Sequence, residues 1–123
     1  MILVDTSVWV DHLRRDNSEL RKLLEKGRVL SHPFIIGELA MGNLEQRDTI
    51  LSAMQDLPQV TVALYHEVLE YIANRELFGL GIGYVDAHLL AAAQISPEAL
   101  LWTKDKRLSK IAAKLTLAFQ PGY

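Results

Sequence analysis

The chain has 123 residues, 50% of them hydrophobic, which suits one compact domain over residues 1–123 and leaves no room for a second. Its formal net charge is -2 at neutral pH, so no global positive field draws nucleic acid in, and any such contact has to be local or metal-assisted. Cysteine is absent, which excludes disulfides, thiolate zinc sites and cysteine nucleophiles. An acid interrupts the first apolar run at Asp5, against a secretory signal, and no stretch nears the ~20 apolar residues of a membrane span. The expectation is a soluble cytoplasmic protein.

Met1 to Val4 reads as a short buried strand, with Asp5 at its carboxyl end and Asp5-Thr6-Ser7 feeding a turn and helix. Apolar residues recur at helical spacing over Val8–Arg15 and again over Ser18–Lys26, with Asn17 or Ser18 as cap and Gly27 as stop. Val29-Leu30 is a strand candidate. Pro33 then falls at a first helical position after Ser31 or His32, and the helix it opens carries Glu38. A further helix is expected from about Leu44 to Leu57, a strand over Val60–Leu64 and a helix over Glu67–Leu77. Gly79, Gly81 and Gly83 punctuate the approach to an Ala- and Leu-rich helix over Tyr84–Ile95, with Asp86 in its first turn. Leu100–Thr103 is a buried strand candidate, Asp105 follows at its carboxyl end, and Lys106–Leu115 is a basic helix. Leu117–Phe119 offers a last short strand. Strands alternating with helices predict an α/β fold, a mainly parallel sheet covered on both faces. In such sheets ligands bind beyond the carboxyl ends of the strands.

Four acids stand out against this frame: Asp5, Glu38, Asp86 and Asp105. The first three lie in apolar stretches without a single Lys or Arg, namely Met1–Asp11, Phe34–Gln46 and Phe78–Thr103. Burying an uncompensated carboxylate costs several kcal/mol, so acids on apolar faces need basic partners, hydrogen-bond donors or metal. Glu38 shares a helical stripe with Phe34, Ile35 and Met41, and Asp86 with Leu89, Leu90 and Ala93, so both are expected to face inward. Hard divalent cations such as Mg²⁺ and Mn²⁺ prefer carboxylate and water oxygens. Such ions activate water and neutralise phosphate, so metal-assisted phosphodiester hydrolysis is the natural reaction class.

Each acid also has an ordinary structural duty open to it. Asp5 can cap the helix that follows, Asp86 can complement a helix dipole, and Asp105 among Lys104, Lys106 and Arg107 can be a solvated surface acid. Glu38, in mid-helix, fits capping least. Thr6, Ser7 and Thr103 can hold a carboxylate or make turns. His12, His32, His66 and His88 show no zinc-like pairing, and His88 reads first as a partly buried structural histidine. Trp9 and Trp102 read as core. The cations Arg14, Arg15, Lys104, Lys106, Arg107, Lys110 and Lys114 form either a phosphate-contacting rim or a solvated face. An Asp ending the first strand also occurs in haloacid dehalogenase-type phosphatases, but Ser7 occupies the position where those need a second Asp.

The chain resembles the PIN-domain ribonucleases, and among them the VapC-type toxins of prokaryotic toxin–antitoxin pairs. The resemblance rests on ILVDTSVWVDHLR, IGELAMG, GLGIGYVDAHLLAAA and LWTKDKRLSKIA, in that order, across essentially the whole chain. It implies a three-layer α/β/α sandwich around a mainly parallel sheet, with Asp5, Glu38, Asp86 and Asp105 matching the family's acidic quartet. Thr6 or Ser7 and Thr103 match its accessory hydroxyls, and Asp5 and Asp86 are the direct metal ligands expected. Further implications are Mg²⁺- or Mn²⁺-dependent cleavage of RNA such as tRNA, inhibition of translation, a homodimer, and a cognate antitoxin whose tail enters the groove. The alternative is an RNA- or protein-binding module of the same fold that does not cut, with an apolar surface around Trp9, Phe34 or Tyr84 supporting a partner.

Overall fold

A computed structural model describes residues 1–122. Three parallel strands form the sheet, β1 (Ile2–Val4), β2 (Val29–Leu30) and β3 (Leu100–Trp102), in the order β2-β1-β3. Leu3 is in register with Leu30 on one side and Leu101 on the other, and these strands are buried on both faces, as parallel strands under helices must be. Isolated parallel bridges extend the pairing outward, Ser31 with Gln59 and Leu101 with Ala118.

Seven helices fill the connections among the described residues: α1 (Thr6–Arg15), α2 (Ser18–Glu25), α3 (Pro33–Ala40), α4 (Arg47–Asp56), α5 (Tyr65–Asn74), α6 (Tyr84–Ile95) and α7 (Lys106–Lys114). The chain steps outward from β1 through β2 to the Gln59 bridge, then returns across the sheet to β3 and on to the Ala118 bridge. Right-handed crossovers therefore set α1 to α4 on one face and α5 to α7 on the other. Packing of α1 on α3, α3 on α4 and α5 on α6 agrees. The direction of travel reverses between β1 and β3, which makes the crevice beyond their carboxyl ends the switch point of the sheet.

Helix α6 explains the Ala- and Leu-rich stretch, because every residue from Ala87 to Ala93 is buried. Leu89 and Leu90 are fully enclosed, and truncating either to Ala would cost roughly 2–5 kcal/mol. Trp9 and Trp102 belong to the same core. No helix among the described residues is long and apolar enough to cross a membrane.

Two expected elements differ. Val60–Leu64 is not a strand: beyond the bridge at Gln59, the Thr61 N–H donates to Ser96 Oγ and the Leu64 N–H to Glu67 Oε1, so side chains take donors that a ladder would use. Thr61 and Val62 are both exposed, which breaks the alternation a strand needs. Helix α4 starts at Arg47 instead of Leu44, after Gln46 in left-handed conformation (φ 52°). Helix α5 begins two residues early at Tyr65 and stops at Asn74, followed by Glu76 at φ 52°.

Candidate active site

Asp5 ends β1 at the switch point and is buried, with 8% exposure. Its Oδ1 accepts the Thr6 N–H at 2.8 Å, starting α1. Its Oδ2 accepts the Thr103 hydroxyl at 2.7 Å and the Ser7 hydroxyl at 3.0 Å. Three donors and no cation thus compensate this buried charge among the described residues. The same hydroxyls anchor the segment after β3: Ser7 Oγ accepts the Lys104 N–H at 3.0 Å, and Thr103 Oγ1 accepts the Asp105 N–H at 3.1 Å. Hydroxyls from the first turn of α1 and from the end of β3 therefore fix the backbone that leads into Asp105.

Asp105 is exposed and N-caps α7, its Oδ1 accepting the Leu108 N–H at 2.9 Å. Asp86, half-buried in the first turn of α6, accepts the Gly83 N–H at 3.1 Å. Glu38 accepts the Thr6 hydroxyl at 2.6 Å, so the first residue of α1 ties down the acid of α3. Burial pushes the Asp86 carboxyl above the usual carboxylate range, the Gly83 N–H opposes that, and the charges of Asp5, Asp105 and Glu38 add to the rise. The four acids, distant in sequence, share one electrostatic neighbourhood. As the side chains stand, no group of three or more Asp, Glu or His among the described residues is drawn close enough to hold one ion.

The structural duties and the convergence coexist, since Asp5 and Asp105 cap helices while Asp86 reaches back to the start of its own. Glu38 does not face inward as expected. It is exposed on a stripe with Phe34 (38%) and Met41 (89%), because the apolar residues of α3 divide between the core, with Ile35 and Leu39, and solvent. A groove of about 620 Å³ opens beside Glu38 and Thr6, walled by Val10, Leu13, Leu44 and Ile50, with Arg14 on its edge.

Of the cations read as a possible rim, Lys104 and Arg15 both pair with Asp11, at 3.3 and 3.4 Å. Arg107, Lys110 and Lys114 instead line a separate cleft with Arg75. A cluster not foreseen from sequence joins the helices that carry Glu38 and Asp86. His32 is fully buried, and its Nδ1 accepts the Phe34 N–H at 2.9 Å as the cap of α3. The Phe34 ring lies edge-on to His88 at 4.7 Å, and Tyr84 meets His88 at the same distance. Burial first, then the charge of His88, holds His32 down to about 4, so it is neutral. The signal available in the sequence was His32 directly before Pro33, and Tyr84 four residues before His88 on one helix face.

A sheet of this order with acids beyond its switch point is the architecture of a PIN domain, whose family model matches residues 2–114, and the chain belongs to that family. Within it, the chain is 44% identical over 118 residues to Ribonuclease VapC32 of Mycobacterium tuberculosis, in strain CDC 1551 / Oshkosh and in strain H37Rv, covering 96% of this chain and 95% of the relative. The kinship is thus to VapC-type proteins. The solved structure of FitAB bound to an IR36 DNA fragment shares the fold, with a TM-score of 0.62 over 92% of this chain and 91% of that one at 17% identity.

Proposed function

We propose that the chain is a metal-dependent endoribonuclease, the toxin of a toxin–antitoxin pair, which hydrolyses RNA phosphodiester bonds and thereby inhibits translation. The observation that carries the reading is the gathering of Asp5, Glu38, Asp86 and Asp105 beyond the switch point, where their charges act on Asp86 with no neutralising cation. Likeness to a protein named as a ribonuclease, over nearly the whole chain, supports it. On this reading residues 1–123 form one domain working in the cytoplasm, as a homodimer, neutralised by a cognate antitoxin.

The donor set fits a hard divalent cation, Mg²⁺ or Mn²⁺. All four side chains are oxygen donors, and their mutual repulsion favours positive charge. A ready cage is not needed, because Mg²⁺ usually keeps several waters and takes only one or two carboxylates. Asp5 and Asp86 are the residues we assign to hold the ion. When bound, it supplies positive charge to the scissile phosphate and lowers the pKa of a coordinated water. Asp5 brings a carboxylate already oriented by three donors, so little ordering remains to be done when substrate arrives. Glu38, steadied by Thr6 and open to solvent, accepts a proton from the attacking water. Asp105, its backbone fixed by Thr103 and its carboxylate by the cap of α7, would help orient that water.

The test is single-turnover cleavage of a labelled small-RNA pool by partner-free protein with Mg²⁺, Mn²⁺ or chelator, beside Asp5→Asn and Asp86→Asn. Discrete products that require both metal and both acids are expected. Folded protein that binds RNA without cutting it under any metal would replace this reading with a binding module.

A further inference from the structure

We propose that the cleft between α7 and the α5–α6 connection is a phosphate track that holds the RNA strand where it leaves the active site; this rests on the nuclease reading above. The cleft, about 240 Å³, is lined by four cations, Arg75, Arg107, Lys110 and Lys114, over an apolar floor that includes Leu77 and Ile111, and no acid lines it. All four cations are exposed, and among the described residues none lies within salt-bridge range of a carboxylate. Lys104 and Arg15, by contrast, are already engaged by Asp11. A concave wall of one sign over a low-dielectric floor concentrates field, so this region is locally positive on a chain of net charge -2.

Its placement selects the ligand. Arg107, Lys110 and Lys114 occupy one face of α7 at spacings of three and four residues, a row roughly 10 Å long at 1.5 Å per residue. The row starts two residues after Asp105, which caps α7, and runs away from the four acids. The facing wall is the connection that delivers Asp86: Gly81, at φ +83°, lets Arg107 lie so close that an added Cβ would meet its Nη1 at 2.5 Å. The cleft is therefore bounded by the two segments that carry Asp86 and Asp105. Four carboxylates repel an approaching polyanion, and a strip of cations beginning beside them offsets that repulsion for a strand threaded through the site. A mononucleotide would not need the length of the row, and an acidic protein would not need its continuity with the acids. Arg75, 5.5 Å from the centroid of the Tyr71 ring, adds a flat cationic surface at the same cleft.

The test is fluorescence anisotropy of a labelled, mixed-sequence single-stranded RNA pool with the full chain in chelator, across a salt series. Lys110→Gln/Lys114→Gln is compared with Lys22→Gln/Lys26→Gln, on α2 and at its C-terminal cap, all four being exposed positions. The α7 pair should weaken binding of all sequences about equally and make the slope of log K against log salt shallower by about 1.4, or ~0.7 for each phosphate no longer neutralised. The α2 pair should change neither. In cleavage assays with metal, the α7 pair should raise KM for long RNA and leave kcat, and the cleavage of oligonucleotides too short to reach the track, unchanged. An unchanged salt slope in the α7 pair overturns the proposal, and does so alone if cleavage is intact. Loss of binding to polyglutamate with RNA binding retained also overturns it, in favour of an acidic protein partner. Loss of RNA binding in the α7 pair, in a protein that cuts nothing with Mg²⁺ or Mn²⁺, leaves the track standing and removes the nuclease.

Discussion

Replacing Asp86 separates the two duties that its carboxylate performs. Its Oδ2 accepts the Gly83 N–H, while burial and the charges of Asp5, Asp105 and Glu38 oppose its ionised form. Asp86→Asn keeps an oxygen for Gly83 and deletes the charge, so in chelator the variant should be at least as stable as wild type. Asp86→Ala deletes both, and the missing hydrogen bond costs about 1 kcal/mol. For 123 residues the unfolding entropy is about 260 cal/mol/K, so Ala should melt about 4 °C below Asn. Metal at ~100 times its Kd should add about 2.7 kcal/mol to wild type, a rise of about 10 °C, and little to either variant. Thermal melts in chelator and in Mn²⁺ provide all of these values. Should Asn in chelator fall as far below wild type as Ala does, the crowding of like charges is not what sets Asp86. Should Asn gain as much from metal as wild type, Asp86 is not a ligand.

Thr103→Val removes a donor to Asp5 and an acceptor for the Asp105 N–H, and cleavage should fall roughly 10–100-fold with the fold retained, as when other ligand-orienting partners are removed; unchanged single-turnover rates would contradict this. His32, held down to about 4 in the fold against about 6.5 unfolded, contributes stability that is present above pH ~6.5 and lost on acidification toward pH ~4, by about 1.4 kcal/mol per pH unit and roughly 3 kcal/mol in all. His32→Asn offers Phe34 a capping oxygen in place of the ring Nδ1 and does not titrate, so urea melts across that window should show a flatter acid limb; a limb parallel to wild type refutes the assignment. Gly81→Ala places a side chain at positive φ against Arg107 and should lower stability by about 1–2 kcal/mol and weaken RNA binding; an unchanged salt slope would show that Arg107 finds its phosphate without that close approach.

The parts of the fold legible in the sequence were those whose information is local. Met1–Val4 and Leu100–Trp102 are unbroken apolar runs, the first ended by Asp5 and the second followed by Thr103, Lys104 and Asp105, and α6 is too long and too apolar for anything except a buried helix. Val60–Leu64 misled because its composition suits a strand, while the donors of Thr61 and Leu64 are settled by Ser96, distant in sequence, and by Glu67 in the next helix. Glu38 misled because Phe34 and Met41 are apolar yet exposed, and hydrophobic stripes do not say which apolar residues the core accepts. The places of Asp5 and Asp105 beyond strand ends and of Asp86 in a first helical turn were legible in the alternating α/β pattern, whereas Glu38, in mid-helix, carried no such mark. The hydroxyl bridge from Thr103 to Asp5, 98 residues away, was not, because it depends on which strands become neighbours. The same limit applied to the cations, whose division into Asp11 partners and cleft lining depends on α7 lying beside the α5–α6 connection.

That Asp5, Asp86 and Asp105 each satisfy a backbone N–H at a helix start has a consequence for how such a chain can drift. A lineage relieved of selection for cutting cannot discard these acids freely, because Ala or a bulky residue there leaves a helix start unpaired at about 1 kcal/mol per position. Asn and Ser keep the cap and lose the charge, so they are the open exits. Glu38 satisfies no backbone group and can change to almost anything. Silent descendants should therefore carry Asn or Ser at the two caps, Asp5 and Asp105, Asn at Asp86 and miscellany at Glu38, a pattern by which an inactive relative can be told from an active one before any protein is made.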